Sequence, residues 1–308
     1  MTFSPEPLAG LLQELDNEGY AFTTVTPATH ARVLGRRRYE QARDLRDVFG
    51  WSMPFAADLL PSDILSLLEE GGALDRQGGT CRSLVRVSSL SGRLFLHSAY
   101  PTEEADSVFF GPDTYRFARF VEAQAEEIAP PRDLVDLGAG AGPGGISAAG
   151  LLEPERVTLL DINPTALALA EANAMAAGMD VETRVGGLDQ VEGEIDLIIA
   201  NPPFIADAQG RAYRDGGDML GAGVSLDWAR QALGRLSEGG TMLLYTGSPI
   251  IDGEDRLLSE LAELAAETEA QLRYEEIDPD IFGEELDQPA YAEAGAERIA
   301  AVGIVLRR

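Results

Sequence analysis

The stretch DLVDLGAGAGPGGIS, residues 133–147, passes from an apolar run into a chain of glycines, and this transition decides the fold. It is typical of a parallel strand that leads through a tight turn into a helix. Gly138, Gly140 and Gly142 lack side chains where the backbone must turn and where a ligand can approach the main chain. Residues 140–145 also fit G-x-G-x-x-G, so the glycines alone would equally suit a dinucleotide.

Two acids favour a different ligand. Asp136 precedes the first glycine at the carboxyl end of the strand, where a carboxylate suits an ammonium group better than a pyrophosphate. Asp161 ends the next apolar run and can accept hydrogen bonds from both hydroxyls of a ribose. We therefore expect a nucleoside that carries an amino acid in place of phosphates. Tight helix packing is the alternative explanation of the glycines.

The run IDLIIANPPFIAD, residues 195–207, ends a further strand in an amide, two prolines and an aromatic ring. This end lies beside the crevice where ligands of open α/β sheets bind. The Asn201 side-chain oxygen and the Pro202 carbonyl can each accept one N–H of a planar amino group, and the prolines keep both acceptors in place. Phe204 can stack on the same group. A turn that only terminates the strand is the alternative.

Strand, turn and helix alternate from about residue 130 onwards, which predicts an α/β fold with a parallel sheet covered on both faces. The last two apolar segments, 271–277 and 297–306, are joined by about twenty irregular residues without an obvious helix, and they predict an antiparallel closing pair.

The first 107 residues predict three helices and then a hairpin, at about residues 5–18, 27–48, 61–71 and 83–99. This is the order of a winged helix, a module that serves as substrate lid, dimerisation element or DNA reader. We therefore expect a smaller N-terminal domain over residues 1–107, for recognition, dimerisation or closure, and a catalytic domain over residues 108–308.

Three motifs, DLGAGAG (136–142), LLDIN (159–163) and NPPF (201–204), resemble the class I S-adenosylmethionine-dependent methyltransferases of the N-P-P-[FY] type. The resemblance covers about residues 108–306. It implies a Rossmann-like seven-stranded sheet with an antiparallel closing strand, and S-adenosyl-L-methionine as cofactor. The segment VFFGPDTYRFARFV, residues 108–121, is similar to the entry into the domain of release-factor glutamine methyltransferases.

The resemblance also implies roles for individual residues. Asn201, Pro202 and Phe204 would hold the acceptor, a planar nitrogen such as the amide of a protein glutamine. Cofactor contacts are implied for Thr114, Asp136, Gly138, Ala139, Gly140, Gly142, Asp161, Ile162, Gly187, Leu188 and Asn201. In-line transfer to nitrogen mainly requires the acceptor to be held on the sulfur–methyl axis, so no base of unusual pKa is expected.

The resemblance has three departures. The acid and aromatic residue common after strand three are replaced by Gly186, Gly187 and Leu188, so backbone and apolar contacts to adenine are expected there. Phe204 stands where the family often has tyrosine. Residues 1–107 do not resemble the helical recognition domain of the release-factor enzymes.

Other acceptors therefore stay open. A small-molecule methyltransferase is the alternative, in which residues 278–295, with Phe282 and Tyr291, could close over the pocket or form an ordinary surface loop. A winged-helix nucleic-acid binder, or a ribosomal RNA or DNA adenine or guanine methylase, is a third interpretation.

The charged residues narrow the choice of partners. All 24 basic residues are arginine, which excludes lysine Schiff bases and a P-loop lysine. A formal net charge of -28 disfavours nucleic acid and favours a protein or small-molecule acceptor. The densest basic segment, GRRRYEQARDLR at residues 35–46, is interpreted as a solvated helix face.

Cysteine, histidine and hydropathy indicate an intracellular protein without metal. Cys81 is the single cysteine and is expected to be a small core residue, while His30 and His97 are too few and too scattered for zinc. The chain begins without a basic, apolar leader and has no run of about 18 apolar residues. We therefore expect a cytoplasmic enzyme with neither export signal nor membrane anchor.

Overall fold

The computed structural model describes residues 3–102, 104, 106–207 and 213–308. Its N-terminal part contains helices α1 (Pro5–Asn17), α2 (Pro27–Gly35), α3 (Leu45–Phe49) and α4 (Ser62–Glu70), followed by strands β1 (Leu74–Gln77), β2 (Thr80–Ser83), β3 (Val85–Leu90) and β4 (Arg93–Ser98). β1 pairs with β2 and β3 pairs with β4, each pair antiparallel. The predicted hairpin is therefore confirmed as β3–β4, while the β1–β2 hairpin was not predicted.

The single helix predicted over residues 27–48 is wrong. α2 ends at Gly35, and an irregular loop runs over residues 36–44 before α3 begins. The Asp44 side chain accepts a hydrogen bond from the Asp47 backbone N–H and caps α3. The Asp47 carboxylate in turn pairs with Arg37 in the loop. These side chains offer the backbone local partners that compete with a continuous helix.

The rest of the chain alternates strands and helices, as predicted. The elements are α5 (Pro112–Ala125), β5 (Asp133–Leu137), α6 (Pro143–Leu152), β6 (Arg156–Asp161), α7 (Pro164–Ala176), β7 (Glu182–Val185), β8 (Ile195–Ala200), α8 (Gly223–Leu233), β9 (Leu236–Ile251), β10 (Glu254–Asp255), α9 (Arg256–Glu267), β11 (Gln271–Asp278), α10 (Pro289–Ala294) and β12 (Ala296–Arg307). The link between β11 and β12 contains a 3₁₀ turn and α10, which corrects the expectation of a stretch without helix.

The main sheet has the strand order β11-β12-β9-β8-β5-β6-β7, with the short β10 paired to the end of β9. Strands β9, β8, β5, β6 and β7 run parallel to one another. Strand β12 lies between β9 and β11 and is antiparallel to both. This confirms the Rossmann-like sheet with an antiparallel closing strand. The order switches between β5 and β8, the point at which open α/β sheets form a crevice at the strand ends.

Local signals in the sequence account for where α7 begins. The Asn163 side chain accepts a hydrogen bond from the Thr165 backbone N–H, and Pro164 occupies the first helical turn. Gly178, just after the end of α7, has a left-handed φ of 67°, which is typical of such helix ends. The β6–α7 turn is thereby held at the edge of the sheet where Asp161 ends its strand.

The N-terminal part packs onto α7 and shares a core with it. Leu8 and Leu12 of α1 belong to the same buried cluster as Leu169 of α7. The Asn173 carboxamide of α7 accepts from the Leu96 N–H at 2.8 Å and donates to the Leu96 carbonyl at 3.1 Å. The winged-helix interpretation and the boundary after residue 107 stay predictions.

Two further features concern composition. Cys81 is buried with a free thiol, as expected of a small core residue. Among the described residues, no helix is both long and apolar enough to cross a bilayer.

Candidate active site

A cavity of about 510 Å³ opens at the carboxyl ends of β5, β6 and β8, where the strand order switches. The predicted site residues that line it are Thr114, Asp136, Gly138, Ala139, Gly140, Asp161, Ile162, Gly187, Asn201, Pro202 and Phe204. The topology therefore gathers residues that are spread over about ninety positions of the chain, because parallel strands all end at one edge of the sheet.

Two residues for which the resemblance implies cofactor contacts, Gly142 and Leu188, do not line the cavity, and their contact with a cofactor stays a prediction. A Cβ atom at Gly142 would lie 3.1 Å from side-chain atoms of both Ile146 and Leu159, so this glycine serves the packing of α6 on the sheet. Leu188 is buried in the core between the sheet and α8. The signal at both positions was a local turn, which does not say which way the residue faces.

Asp161 holds the glycine loop and borders the cavity. Its Oδ2 accepts a hydrogen bond from the Gly140 N–H at 2.8 Å, and its Oδ1 accepts one from the Asn163 N–H at 2.8 Å. Each carboxylate oxygen can accept a second hydrogen bond. Burial raises the pKa of Asp161. This side chain can therefore anchor the loop and still accept hydrogen bonds from hydroxyl groups of a ligand in the cavity.

Asp136 is a buried carboxyl in the floor of the cavity. Its Oδ2 accepts a hydrogen bond from the Gly145 N–H of α6 at 2.7 Å. Burial raises its pKa to about 7, although that hydrogen bond opposes the shift. A cation in the cavity would favour the ionised form of this carboxyl, because an opposite charge lowers the free energy of the carboxylate. The group suits an ammonium ligand.

The rim of the cavity next to Asp161 is apolar and includes two glycines. The Ile162 side chain is 66% exposed, and Gly186 and Gly187 line the adjacent wall. Glycines leave the backbone open to close approach, and an exposed isoleucine offers a flat apolar surface. Together with Asp136 and Asp161, this surface fits a nucleoside that carries an amino acid.

Asn201 and Pro202 form the opposite part of the wall, directly after β8. The half-buried Asn201 carboxamide has no hydrogen bond to any other residue that the structure describes, so its donors and acceptor are available to a ligand. Phe204 is only 6% exposed and makes edge contacts with Tyr245 and Phe282, at ring-centroid distances of 6.5 and 5.7 Å. Phe204 can offer the cavity only a small part of its ring.

Buried polar contacts position the start of α5 against the sheet. The Tyr245 hydroxyl of β9 donates to Asp113 Oδ1 at 2.6 Å. Arg116 pairs with Asp113 at 3.3 Å and with Asp278 at 2.9 Å. Thr114 Oγ1 accepts from the Gly111 N–H at 3.2 Å. These contacts place Asp113 and Thr114 in the cavity wall as part of a rigid corner.

The segment 278–295 contributes to the wall and supports it from behind. Phe282 lines the cavity. Tyr291 is fully buried; its hydroxyl accepts from the Ala206 N–H at 2.9 Å and donates to the Leu220 carbonyl at 3.0 Å. The segment is thus tied to the chain that follows Phe204. Its role as a lid stays a prediction.

Several wall residues were missed by the sequence analysis. Val224, Trp228 and Gln231 of α8 line the cavity together, and their spacing of four and then three residues places them on one helix face. That spacing, on the first helix after the N-P-P-F motif, is the signal that could have found them. Phe109 and Arg214 come from irregular segments that carry no such signal.

Comparison with known proteins agrees with this geometry. The family described as Methyltransferase small domain matches residues 120–249. A release factor glutamine methyltransferase of Deinococcus radiodurans is 27% identical over 208 residues, which cover 65% of this chain and 72% of that protein. The corresponding protein of Bordetella pertussis is 32% identical over 173 residues, 51% of this chain and 63% of its own length.

Other relatives have different acceptors in their names. A ribosomal protein L11 methyltransferase of Symbiobacterium thermophilum is 32% identical over 123 residues, 37% of this chain and 40% of its own. The crystal structure of Trm5b from Pyrococcus abyssi, 17% identical, aligns with a TM-score of 0.51 over 92% of this chain and 78% of that one, which shows a shared fold. The motifs at the strand ends, the sheet and the matched domain identify the chain as a class I S-adenosylmethionine-dependent methyltransferase.

Proposed function

We propose that the enzyme methylates a planar amide or amino nitrogen, with the side-chain amide of a protein glutamine as the first candidate acceptor. The observation that carries the proposal is the Asn201 carboxamide. It is free of other described hydrogen bonds and lines the same cavity as Gly138, Gly140 and Asp161. Methyl transfer to nitrogen requires a side chain that holds the substrate nitrogen next to the bound cofactor. The cavity offers both, because the Asn201 carboxamide and the glycine-lined nucleoside site share one wall.

The cofactor would be held by the side of the cavity that contains the glycine loop. Asp136 would face the ammonium group, Asp161 would accept from the ribose hydroxyls, and Ile162 with Gly187 would lie against the base. When bound, S-adenosylmethionine supplies an electrophilic methyl group on a positively charged sulfur. The protein needs no lysine or metal for these contacts.

The acceptor would be held by the end of β8. The Asn201 side-chain oxygen and the Pro202 carbonyl can accept the two N–H bonds of a planar NH2 group. Accepting these hydrogen bonds draws electron density toward the nitrogen and fixes the direction of its attack. Phe204 is supported by Tyr245 and Phe282, so the residues that follow Asn201 are held rigidly. Catalysis would then rest on positioning.

A glutamine acceptor is supported by similarity. Two of the relatives described above, both named release factor glutamine methyltransferases, align with half to two thirds of this chain. Asn201 through Phe204 and the segment around Asp113 carry that likeness. The first 107 residues do not resemble the recognition domain of those enzymes, so a small molecule is the second candidate, supported by the aromatic side chains of Phe109 and Phe282 in the cavity wall.

The test compares Asn201→Ala with Asn17→Ala, an exposed position at the end of α1. We expect Asn201→Ala to keep cofactor affinity, measured by calorimetry, within a few fold. Its methyl transfer should fall about 100-fold or more, the usual cost of a lost preorganised contact. Asn17→Ala should behave like the unaltered enzyme. Equal transfer by Asn201→Ala would remove the assigned role.

The acceptor class is tested with isotope-labelled cofactor and cell extract. After incubation, label is separated into protein, nucleic acid and small molecules, and labelled protein is hydrolysed to identify the methylated residue. Label on glutamine amides supports the first candidate. Label in small molecules supports the second. Label confined to carbon or oxygen atoms would contradict transfer to a planar nitrogen altogether.

A further inference from the structure

The densest run of arginines in the sequence of this acidic protein is the segment 32–46, here called the arginine loop. It comprises the end of α2, the irregular residues 36–44 and the start of α3. It contains six of the 24 arginines of a chain whose formal net charge is -28, and only two acids, Glu40 and Asp44. Because it is a loop and not a continuous helix, its arginines project in several directions from one short segment.

Most of these guanidinium groups lack a carboxylate partner. The side chains classed as exposed are Arg32, Arg36, Arg38, Arg43 and Arg46. Among the described residues, the ion pair of Arg37 with Asp47 is the one that involves the arginine loop. The charge is therefore available to an external anion. The protein has 52 acidic residues, yet most of these arginines form no ion pair with any of those that the structure describes.

Aromatic rings are interleaved with the arginines. The Arg43 guanidinium lies 3.6 Å from the centre of the half-buried Tyr39 ring, and the Arg37 guanidinium lies 5.2 Å from the same ring centre. Arg37 also lies 5.1 Å from the ring of Trp51. Such stacking orients the planar guanidinium groups, and arginine planes and aromatic faces are the surfaces on which bases stack.

The arginine loop is linked to the cavity by short steps through described contacts. Ser52 follows Trp51, and its Oγ accepts from the Tyr100 N–H at 3.0 Å. Two residues further along, the Thr102 carbonyl accepts from the Tyr213 hydroxyl at 2.9 Å. Tyr213 lines the cavity. These hydrogen bonds connect the residue next to Trp51, on which Arg37 packs, to the cavity wall.

We propose that the arginine loop binds the phosphate backbone of single-stranded nucleic acid. The net charge of the chain does not prevent this, because charges more than about 8 Å away are screened at physiological ionic strength. The local excess of arginine then decides the contact. Guanidinium forks match phosphate oxygens in pairs, and the interleaved rings favour bases over an acidic peptide.

This inference goes beyond the proposed function and does not depend on it. It concerns a surface outside the cavity, and a nucleic acid bound there could carry the acceptor or only accompany it. Its failure would leave the roles of Asn201 and Asp161 untouched. In the same way, loss of the role of Asn201 would not affect binding at the arginine loop.

The experiment measures fluorescence anisotropy of a labelled single-stranded RNA of mixed sequence, long enough to fill a binding site of about 16 nucleotides, at several salt concentrations. The test variant is Arg36→Gln/Arg38→Gln/Arg43→Gln. The control variant is Arg76→Gln/Arg256→Gln/Arg273→Gln, which removes the same charge from partly exposed surface ion pairs elsewhere. We expect the test variant to bind at least about tenfold more weakly, and the control variant to stay within about twofold of the unaltered protein.

Salt dependence adds a second readout. For single strands, log K falls with log salt by about 0.7 for each phosphate contact, so losing three contacts should reduce the slope by about 2. Three results would overturn the proposal: absence of RNA binding at low salt, equal losses in the test and control variants, or equally tight binding of a poly-glutamate peptide that displaces the RNA. The last result would assign the surface to an acidic protein.

Discussion

The ring of Trp228 lies against the backbone of Gly138: a Cβ atom at position 138 would come within 2.4 Å of Trp228 Cη2. Gly138 also has a left-handed φ of 73°, which a side chain rarely adopts. The first glycine of the loop is therefore required twice, by its own backbone and by a residue of α8 ninety positions later. Helix α8 thus helps to shape the cofactor side of the cavity.

Gly138→Ala should destabilise the enzyme by about 2 kcal/mol or more, because strain at left-handed φ adds to the collision with the indole. Gly178→Ala is the matched control, since Gly178 has a φ of 67° but no atom within 4 Å of an added Cβ. Urea unfolding measures both. If the two variants lose equal stability, the contact with Trp228 contributes nothing. Replacing Trp228 by leucine should restore part of the loss.

Asp161→Ala should weaken cofactor binding by roughly 1.5 to 3 kcal/mol, because charge-assisted hydrogen bonds to the ribose and the anchor of the Gly140 N–H are lost together. This corresponds to about ten- to a hundred-fold in Kd, measured by calorimetry. Asp189→Ala, an exposed acid nearby that is not part of the wall, is the control for charge. Unchanged affinity in Asp161→Ala would exclude the ribose contact.

Asp136 should make the cofactor-free enzyme less stable as pH rises. Its pKa is raised to about 7, so the folded protein keeps a proton that the unfolded chain, with an ordinary pKa of about 3.9, has already released. Stability is therefore fully present below about pH 4 and is lost as pH rises toward about 7. Urea unfolding should show a smaller loss over this window in Asp136→Asn than in the unaltered enzyme.

Cofactor affinity should change with pH in the opposite direction to the stability of the cofactor-free enzyme. A cation beside Asp136 favours its ionised form, so binding near pH 6 should release a proton and tighten as pH approaches 7. Calorimetry in buffers of different ionisation enthalpy measures that proton. Asp227→Asn, on an exposed part of α8, should release as much as the unaltered enzyme. Undiminished proton release in Asp136→Asn would assign the titration to another group.

Tyr291→Phe should destabilise the segment that follows the N-P-P-F motif. The hydroxyl bridges the Ala206 N–H and the Leu220 carbonyl, and its removal leaves these half-buried groups without that partner. We expect a loss of about 1 to 3 kcal/mol in unfolding free energy. Tyr39→Phe removes a hydroxyl that has no partner among the described residues and should be nearly neutral. Equal effects of the two substitutions would contradict the bridge.

The N-terminal part shows where sequence patterns fail. Residues 27–48 carry helix-forming arginines, yet the capping of α3 by Asp44 and the pairing of Asp47 with Arg37 break the helix. The exposure of the arginine loop depends on that break. A charge count over the whole chain therefore disfavoured nucleic acid, whereas the local surface favours it.

The sequence by itself determined the parallel sheet, its antiparallel closing pair and the positions of Asp136, Asp161 and Asn201 at strand ends, whereas the spatial order of the strands came from the structure. Those features depend on signals within a few residues: apolar runs, caps, glycines and prolines. Only the tertiary structure decided that Trp228 lies on Gly138, and that Phe204 is held mostly inside the core. Such contacts join residues distant along the chain, and no local pattern specifies which surfaces will meet when the core packs.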